Sequence, residues 1–226
     1  MNVLVLGDGL LGSEIIKQTN WNYLSRSKDG FDINNIDNYL TPEIDIIINC
    51  IGFTDTYSDD KESNWNVNCV YVDKLIDYCN DNKIKLVHIS SDYVYSNSRA
   101  VASEEDVPVH CDTWYGYTKL LSDGLVQLRC NNYLVIRCSH KPRPFVYDGA
   151  WIDYIGNFDY VDVIADLIIK SVNQDLCGVY NLGTDIKSMY EMASITSNPL
   201  KTITPKHIPN NLSMDISKLN MVLFTP

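Results

Sequence analysis

The sequence predicts an α/β fold, a doubly wound parallel sheet, on three observations. Short apolar runs rich in β-branched residues recur, helix-length segments separate them, and a glycine-rich turn directly follows the first run. Residues 2–6 read as the first strand, 10–19 as a helix, and 22–24 as a short second strand. Runs 45–50, 84–89 and 133–138 read as further strands, nearly continuous in apolar character and so buried on both faces. Helical spacing marks 64–80, 115–130 and 161–171. In the first of these, Trp65, Cys69, Val72, Leu75, Ile76 and Cys79 fall along one broad apolar stripe. From Cys138 the pattern loosens: Pro142 and Pro144 break any helix, and aromatics gather at Phe145, Tyr147, Trp151, Tyr154, Phe158 and Tyr160. A loop-rich tail follows Gly183. The expected organisation is one compact unit, with 1–137 as the main domain and 138–226 as small-lobe segments interleaved with the last sheet elements. In doubly wound folds such late excursions face the substrate.

The 226 residues carry 18 basic and 29 acidic side chains, for a formal charge of -11. A protein that holds nucleic acid by neutralising phosphates needs a basic excess, so that class is excluded. No apolar run approaches the roughly 18 to 20 residues of a membrane span, and MNVLVLGDGLLG lacks the basic start and cleavage site of a signal peptide. The expectation is a soluble cytoplasmic protein with no membrane partner. Seven cysteines are scattered and never spaced as CxxC, so neither a disulfide framework nor a zinc site is expected. Glu104, Glu105 and Asp106 read as a solvated loop, and no metal is predicted.

Gly7-Asp8-Gly9-Leu10-Leu11-Gly12 ends the first strand and opens a helix, the context in which GxGxxG binds a dinucleotide. Gly7 permits the tight turn, Gly9 lets the backbone approach a pyrophosphate, Gly12 allows close helix packing, and the helix start presents unpaired N–H groups. The fold class sharpens to a Rossmann-like sheet. An NAD-type protein carries an acidic residue at the end of the second strand. Here that strand ends in Ser25-Arg26-Ser27, a guanidinium and two hydroxyls suited to a 2′-phosphate, which predicts NADPH over NADH. Asp29 is the competing acidic candidate.

Tyr115 and Lys119 lie four apart at a helix start, so their side chains project from one face. A positive charge beside a phenol stabilises tyrosinate and helps it give a proton to a carbonyl oxygen that is receiving hydride. The spacing alone is uninformative, since a second YxxxK occurs at Tyr57 and Lys61. Position separates them: Tyr115 follows the fourth major strand, which ends in Ser90-Ser91-Asp92-Tyr93 at the crevice side of a parallel sheet.

With these features in order, the chain resembles the extended short-chain dehydrogenase/reductase superfamily and, within it, the dTDP-4-dehydrorhamnose reductases. Ser90-Ser91-Asp92-Tyr93-Val94-Tyr95 is similar to that family's STDYVF, and Tyr115-Gly116-Tyr117-Thr118-Lys119 to its YGxTK. Tyr180-Asn181-Leu182-Gly183 and Met214-Asp215-Ile216-Ser217-Lys218-Leu219 are similar to its YNLG and LDTSKL segments. The resemblance implies an NADPH-dependent reductase of a nucleotide-linked 4-keto-6-deoxy sugar, working as a homodimer. It implies that Ser91 polarises the substrate carbonyl, Tyr115 donates the proton, and Lys119 binds the nicotinamide ribose and tunes Tyr115. Asp32 and Ile33 match its adenine contact, Cys50, Ile51, Gly52 and Thr54 its cofactor stretch, and Asn68 the asparagine of its VNA.

Two departures stand out. The loop is one residue shorter than the family's GxxGxxG, and Arg137-Cys138-Ser139-His140 replaces RTSW, placing His140 where the family has a tryptophan facing substrate. Tyr93 and His140 are therefore the expected substrate contacts beside Ser91 and Tyr115, with Trp151 more remote. Two other readings keep the same fold. One is a nucleotide-sugar epimerase or dehydratase that reoxidises its cofactor within a turnover, or a reductase that also epimerises C3 and C5. The other is a non-catalytic NADP-binding regulatory subunit.

Overall fold

A computed structural model describes residues 1–39, 43–106, 108 and 111–224. In chain order its first half comprises β1 (Val3–Leu6), α1 (Leu10–Thr19), β2 (Asn22–Leu24), α2 (Arg26–Asp29), β3 (Ile46–Asn49), α3 (Lys61–Trp65), α4 (Tyr71–Asn82) and β4 (Lys85–Ile89). There follow α5 (Trp114–Arg129), β5 (Tyr133–Arg137), β6 (His140–Lys141), β7 (Gly149–Trp151), β8 (Ile155–Gly156), β9 (Asp159–Tyr160) and α6 (Val161–Asn173). The chain ends with β10 (Gly178–Asn181), β11 (Lys187–Ser188), α7 (Met189–Ala193), β12 (Leu200–Thr202), β13 (Asn211–Leu212) and α8 (Ser217–Leu223).

Six strands form one parallel sheet in the order β10-β5-β4-β3-β1-β2. The chain reverses direction across the sheet between β1 and β3, and a crevice opens beyond the carboxyl ends of strands at such a switch point. Successive side chains on each strand point to opposite faces, and both faces are covered. Val3, Val5, Ile48, Val87, Leu134 and Ile136 pack with Ile15 of α1 and Ile164 and Ile168 of α6. Leu4, Leu6, Ile47, Leu86 and Val135 pack with Leu75 and Ile76 of α4 and Val126 of α5. This double burial explains why the strands read as apolar runs.

The expected helix 64–80 is longer and divided: α3 and α4 are joined by a π-helical turn, Asn66–Val70. The wider turn rotates Trp65 out of the stripe, leaving it 50% exposed while Cys69, Val72, Leu75, Ile76 and Cys79 are buried.

Beyond β5 the chain builds a small lobe from short pairings of β6 with β9, β7 with β12, and β8 between β11 and β13. Its own apolar cluster holds Phe145, Tyr154, Phe158, Tyr160, Met189, Met192 and Leu212, with Tyr93 from the main sheet side. The chain returns to the main sheet through α6 and β10 before completing the lobe.

Candidate active site

Two cavities meet beyond the carboxyl ends of the central strands. The larger, about 1200 Å³, runs from the Gly7-Asp8-Gly9 turn past Arg26 and Ser27 to Asp32 and Ile33. The second, about 450 Å³, lies between Leu10, Leu11 and Thr54 on one side and Ser91, Tyr93, Tyr115, Lys119 and His140 on the other. Gly9, Cys50, Ile51 and Gly52 line both, so the two form one crevice.

The glycine turn has the geometry its spacing predicts. Gly7 sits at φ +95°, and a Cβ there would meet Ile51 Cγ1 at 2.9 Å. A Cβ on Gly12 would lie 2.0 Å from the Gly7 carbonyl oxygen, whereas one on Gly9 would meet nothing within 4 Å. Gly12 therefore packs α1 against the turn, and Gly9 leaves the backbone bare toward the crevice at the helix start. A pyrophosphate needs that arrangement.

At the end of β2, Arg26 and Ser27 face the larger cavity. Ser25 is 1% exposed, and its hydroxyl accepts the Lys28 N–H at 3.1 Å as the cap of α2. It serves the helix, while the Ser27 hydroxyl on the cavity wall donates to the Asp8 carboxylate at 3.4 Å. The Asp29 carboxylate accepts the Ser25 N–H at 2.9 Å. Lys28 pairs with Asp8 at 3.2 Å, and this hydrogen bond holds the Asp8 carboxyl below its ordinary range. Asp32 accepts from the Asn34 backbone at 3.0 Å, starting the turn that brings Ile33 to the cavity wall.

Asn68 stands one step back from the crevice. Its oxygen accepts the Phe53 N–H at 2.9 Å, and its amide donates to the Phe53 carbonyl at 3.2 Å and to Thr118 Oγ1 at 3.1 Å. With its amide so engaged, Asn68 clamps the strip containing Gly52 and Thr54 to α5 and is a support for the cofactor wall.

In the second cavity Ser91 and Tyr115 line the same wall. Ser91 Oγ contacts Asp92 Oδ1 at 3.2 Å and accepts the Tyr93 N–H at 3.2 Å. The Lys119 ammonium donates to the Ile89 carbonyl at 2.6 Å, and burial lowers its pKa to about 8. Burial pushes the Tyr115 phenol up, and the nearby Ser91 hydroxyl opposes that shift.

Tyr93 lies edge-on to Tyr115 with ring centroids 5.9 Å apart. Its hydroxyl meets that of Tyr57, which reaches in from the loop after β3 and also lies edge-on to His207. The chance motif Tyr57/Lys61 thus contributes a crevice residue through its tyrosine alone, since Lys61 rests over the Trp114 ring at 4.8 Å. His140 lines the cavity from β6, its imidazole held down to about 4 mainly by burial. Sequence reasoning passed over Asp92. It is 2% exposed, accepts the Ser91 hydroxyl at 3.2 Å, and is pushed up to about 6 by burial. Its place immediately after Ser91 was the available signal.

Comparison with known proteins bears on this geometry. Residues 1–158 match the family model described as the RmlD substrate binding domain. The spore coat polysaccharide biosynthesis protein SpsK of Bacillus subtilis is 26% identical over 220 residues, covering 85% of this chain and 77% of that protein. A hypothetical dTDP-4-dehydrorhamnose reductase from Sulfolobus tokodaii superposes with a TM-score of 0.83 at 20% identity, covering 100% of this chain and 96% of that one. The dTDP-4-dehydrorhamnose reductase of Bacillus anthracis, in complex with NADP, gives a TM-score of 0.80 at 22% identity, covering 99% and 92%. At these identities the structural likeness is one of fold, whereas the model match spans well over half the chain. The chain therefore belongs to the RmlD substrate binding domain family, within the extended short-chain dehydrogenase/reductase superfamily.

Proposed function

We propose that the protein is an NADPH-dependent oxidoreductase that reduces the keto group of a nucleotide-linked 4-keto-6-deoxy sugar, as in the last step of nucleotide-rhamnose synthesis. The observation that carries this reading is that Ser91, Tyr115 and Lys119 stand together on the wall of the second cavity, where the long dinucleotide groove opens into it. In this reading 1–137 hold the cofactor and 138–226 supply the far wall of the substrate crevice. The working unit is a cytoplasmic homodimer. No helix among the described residues is long and apolar enough to cross a membrane.

The groove fits a dinucleotide on its own geometry, with bare backbone at Gly9 beside the start of α1 and a guanidinium at Arg26. Gly7, Gly9, Leu10 and Leu11 would hold the pyrophosphate end, Arg26 with Ser27 the 2′-phosphate, and Asp32 with Ile33 the adenine. Cys50, Ile51, Gly52 and Thr54 would flank the nicotinamide half. When bound, the cofactor supplies hydride to the sugar carbonyl. The chain does the rest: Ser91 orients and polarises the carbonyl oxygen, Tyr115 gives it a proton as negative charge develops, and Lys119 holds the ribose side of the wall. Tyr93, His140 and Trp151 shape the sugar pocket.

The test is NADPH oxidation, followed at the nicotinamide absorbance, with freshly generated dTDP- and UDP-linked 4-keto-6-deoxyglucose, with and without added 3,5-epimerase. Stoichiometric oxidation is expected. Turnover of the sugar without net NADPH consumption would instead identify an epimerase or dehydratase, and NADPH binding without chemistry a regulatory subunit.

A further inference from the structure

NAD-type proteins carry a carboxylate at the end of the second strand, and here the candidate for that place, Asp29, is tied to the Ser25 backbone. A carboxylate reaches the same corner of the groove from a different element. Asp8, between the first two glycines of the turn after β1, lines the larger cavity together with Arg26 and Ser27. Its Oδ2 pairs with the Lys28 ammonium at 3.2 Å and accepts the Ser27 hydroxyl at 3.4 Å. Asp8 is thus an anion already seated among the donors that flank Arg26. A 2′-phosphate, another anion with several acceptor oxygens, is drawn to the same set.

The pair is built to exchange partners. The Lys28 side chain is 57% exposed against 21% for Asp8. The ammonium also donates to the Tyr23 hydroxyl at 3.3 Å and lies 4.9 Å from that ring's centroid, which keeps it at this corner when it leaves the carboxylate. The other charged residues lining the cavity, Asp32 and Lys74, both hydrogen-bond Asn34 at the adenine end. The charge that a 2′-phosphate meets at its own corner is therefore set by Arg26, Lys28 and Asp8.

We propose that Asp8 sets the cofactor choice of this groove, with Lys28 as the counter-charge that lets a 2′-phosphate in. The proposal rests on the reading of the groove as a nicotinamide dinucleotide site. With NADPH, the Lys28 ammonium and the Ser27 hydroxyl turn from Asp8 to the phosphate, and the bared carboxylate opposes it. With NADH, the same carboxylate accepts the ribose 2′-hydroxyl, the task that an acidic residue at the end of the second strand performs elsewhere. Specificity is a difference of two affinities, so a repulsive group shapes it as much as an attractive one. Asp8 narrows the preference for NADPH that Arg26 creates.

Calorimetric titration of the full chain with NADPH and with NADH tests this on the wild type, Asp8→Asn, Lys28→Met and the double variant, with thermal melts to show that each is folded. Asp8→Asn is expected to bind NADPH about tenfold more tightly and NADH about tenfold more weakly. Lys28→Met is expected to bind NADPH about tenfold more weakly with NADH unchanged, and in the Asp8→Asn background the same substitution costs no more than about threefold. An Asp8→Asn variant with the wild-type ratio of the two affinities overturns the proposal. So does a Lys28→Met loss of equal size in both backgrounds, which would make Lys28 a phosphate contact independent of Asp8. Adenosine 2′,5′-bisphosphate against AMP repeats the comparison on the fragment that carries the 2′-phosphate; shifts seen with the dinucleotides but missing from these fragments would place the effect at the nicotinamide end and overturn it as well. Should the wild type bind neither dinucleotide, the reading of the groove itself fails and the proposal falls with it.

Discussion

Arg137 donates through Nε to Asp123 Oδ2 at 2.8 Å, with both side chains 1% exposed. This pair fastens β5 to α5 directly beneath the crevice. The Ser90 hydroxyl donates to the same Asp123 oxygen at 3.3 Å, and Arg137 Nη1 donates to the Tyr95 hydroxyl at 2.5 Å and the Glu104 carbonyl at 2.9 Å. Asp123 also lies one helical turn beyond Lys119, where its charge favours the ammonium. Removing one partner strands a buried charge. Arg137→Met is expected to cost about 3 to 5 kcal/mol in urea denaturation. A loss below about 1 kcal/mol would mean that water already solvates Asp123.

The two glycines of the turn fail differently when given a methyl group. Gly12→Ala forces a Cβ into the Gly7 carbonyl and should destabilise the fold by about 1 to 3 kcal/mol. Gly9→Ala meets nothing in the protein, so its melting temperature should match the wild type while NADPH binding weakens about tenfold, since the methyl occupies the pyrophosphate approach. Calorimetric titration beside thermal melts separates the two. Equal NADPH affinity in Gly9→Ala would place the pyrophosphate elsewhere.

Arg26 stands at the groove wall with Ser27, while Asp29 is tied to the Ser25 backbone. Arg26→Ala should weaken NADPH by about 10- to 100-fold, the worth of a charge-assisted contact, and leave NADH affinity unchanged. An equal loss for both cofactors would assign Arg26 to a part they share.

Tyr115→Phe keeps the ring that packs edge-on against Tyr93 and removes only the hydroxyl. We expect unchanged stability and NADPH affinity, with kcat lower by about 100- to 10,000-fold. Retained turnover would remove Tyr115 as the acid.

The sheet was readable because strands buried on both faces carry continuous apolar runs, and Gly7, Gly9 and Gly12 were readable because each answers a backbone requirement. Side-chain allegiance was harder. Ser25 and Ser27 are the same residue type two positions apart, yet Ser25 is buried as the cap of α2 while Ser27 lines the groove. Asn68 matched a motif, yet its role emerges only from the Phe53 backbone that meets it from another loop. Lys119 has the expected spacing from Tyr115, but spacing does not say that the end of β4 offers a carbonyl within its reach. Asp92 is 2% exposed only because the chain folds over it, which local pattern does not record.

That burial has a measurable cost with a definite sign. The folded chain holds the Asp92 proton more tightly than the unfolded chain does, with the carboxyl raised from an ordinary 3.8 to about 6. Below about pH 4 both states are protonated and the fold carries no penalty from this group. As pH rises to about 6 and beyond, the unfolded chain ionises freely while the folded chain resists, so stability falls. The rise corresponds to about 3 kcal/mol, all of it lost above the folded value. Asp92→Asn has no proton to lose at this site. Relative to the wild type, the variant should therefore gain about 3 kcal/mol between about pH 4 and pH 7 in chemical denaturation, whatever the fixed cost of the substitution. A gap that stays constant across that range would show that Lys141 and the serine hydroxyls fully offset the burial. Asp92 would then stay a carboxylate in the folded protein.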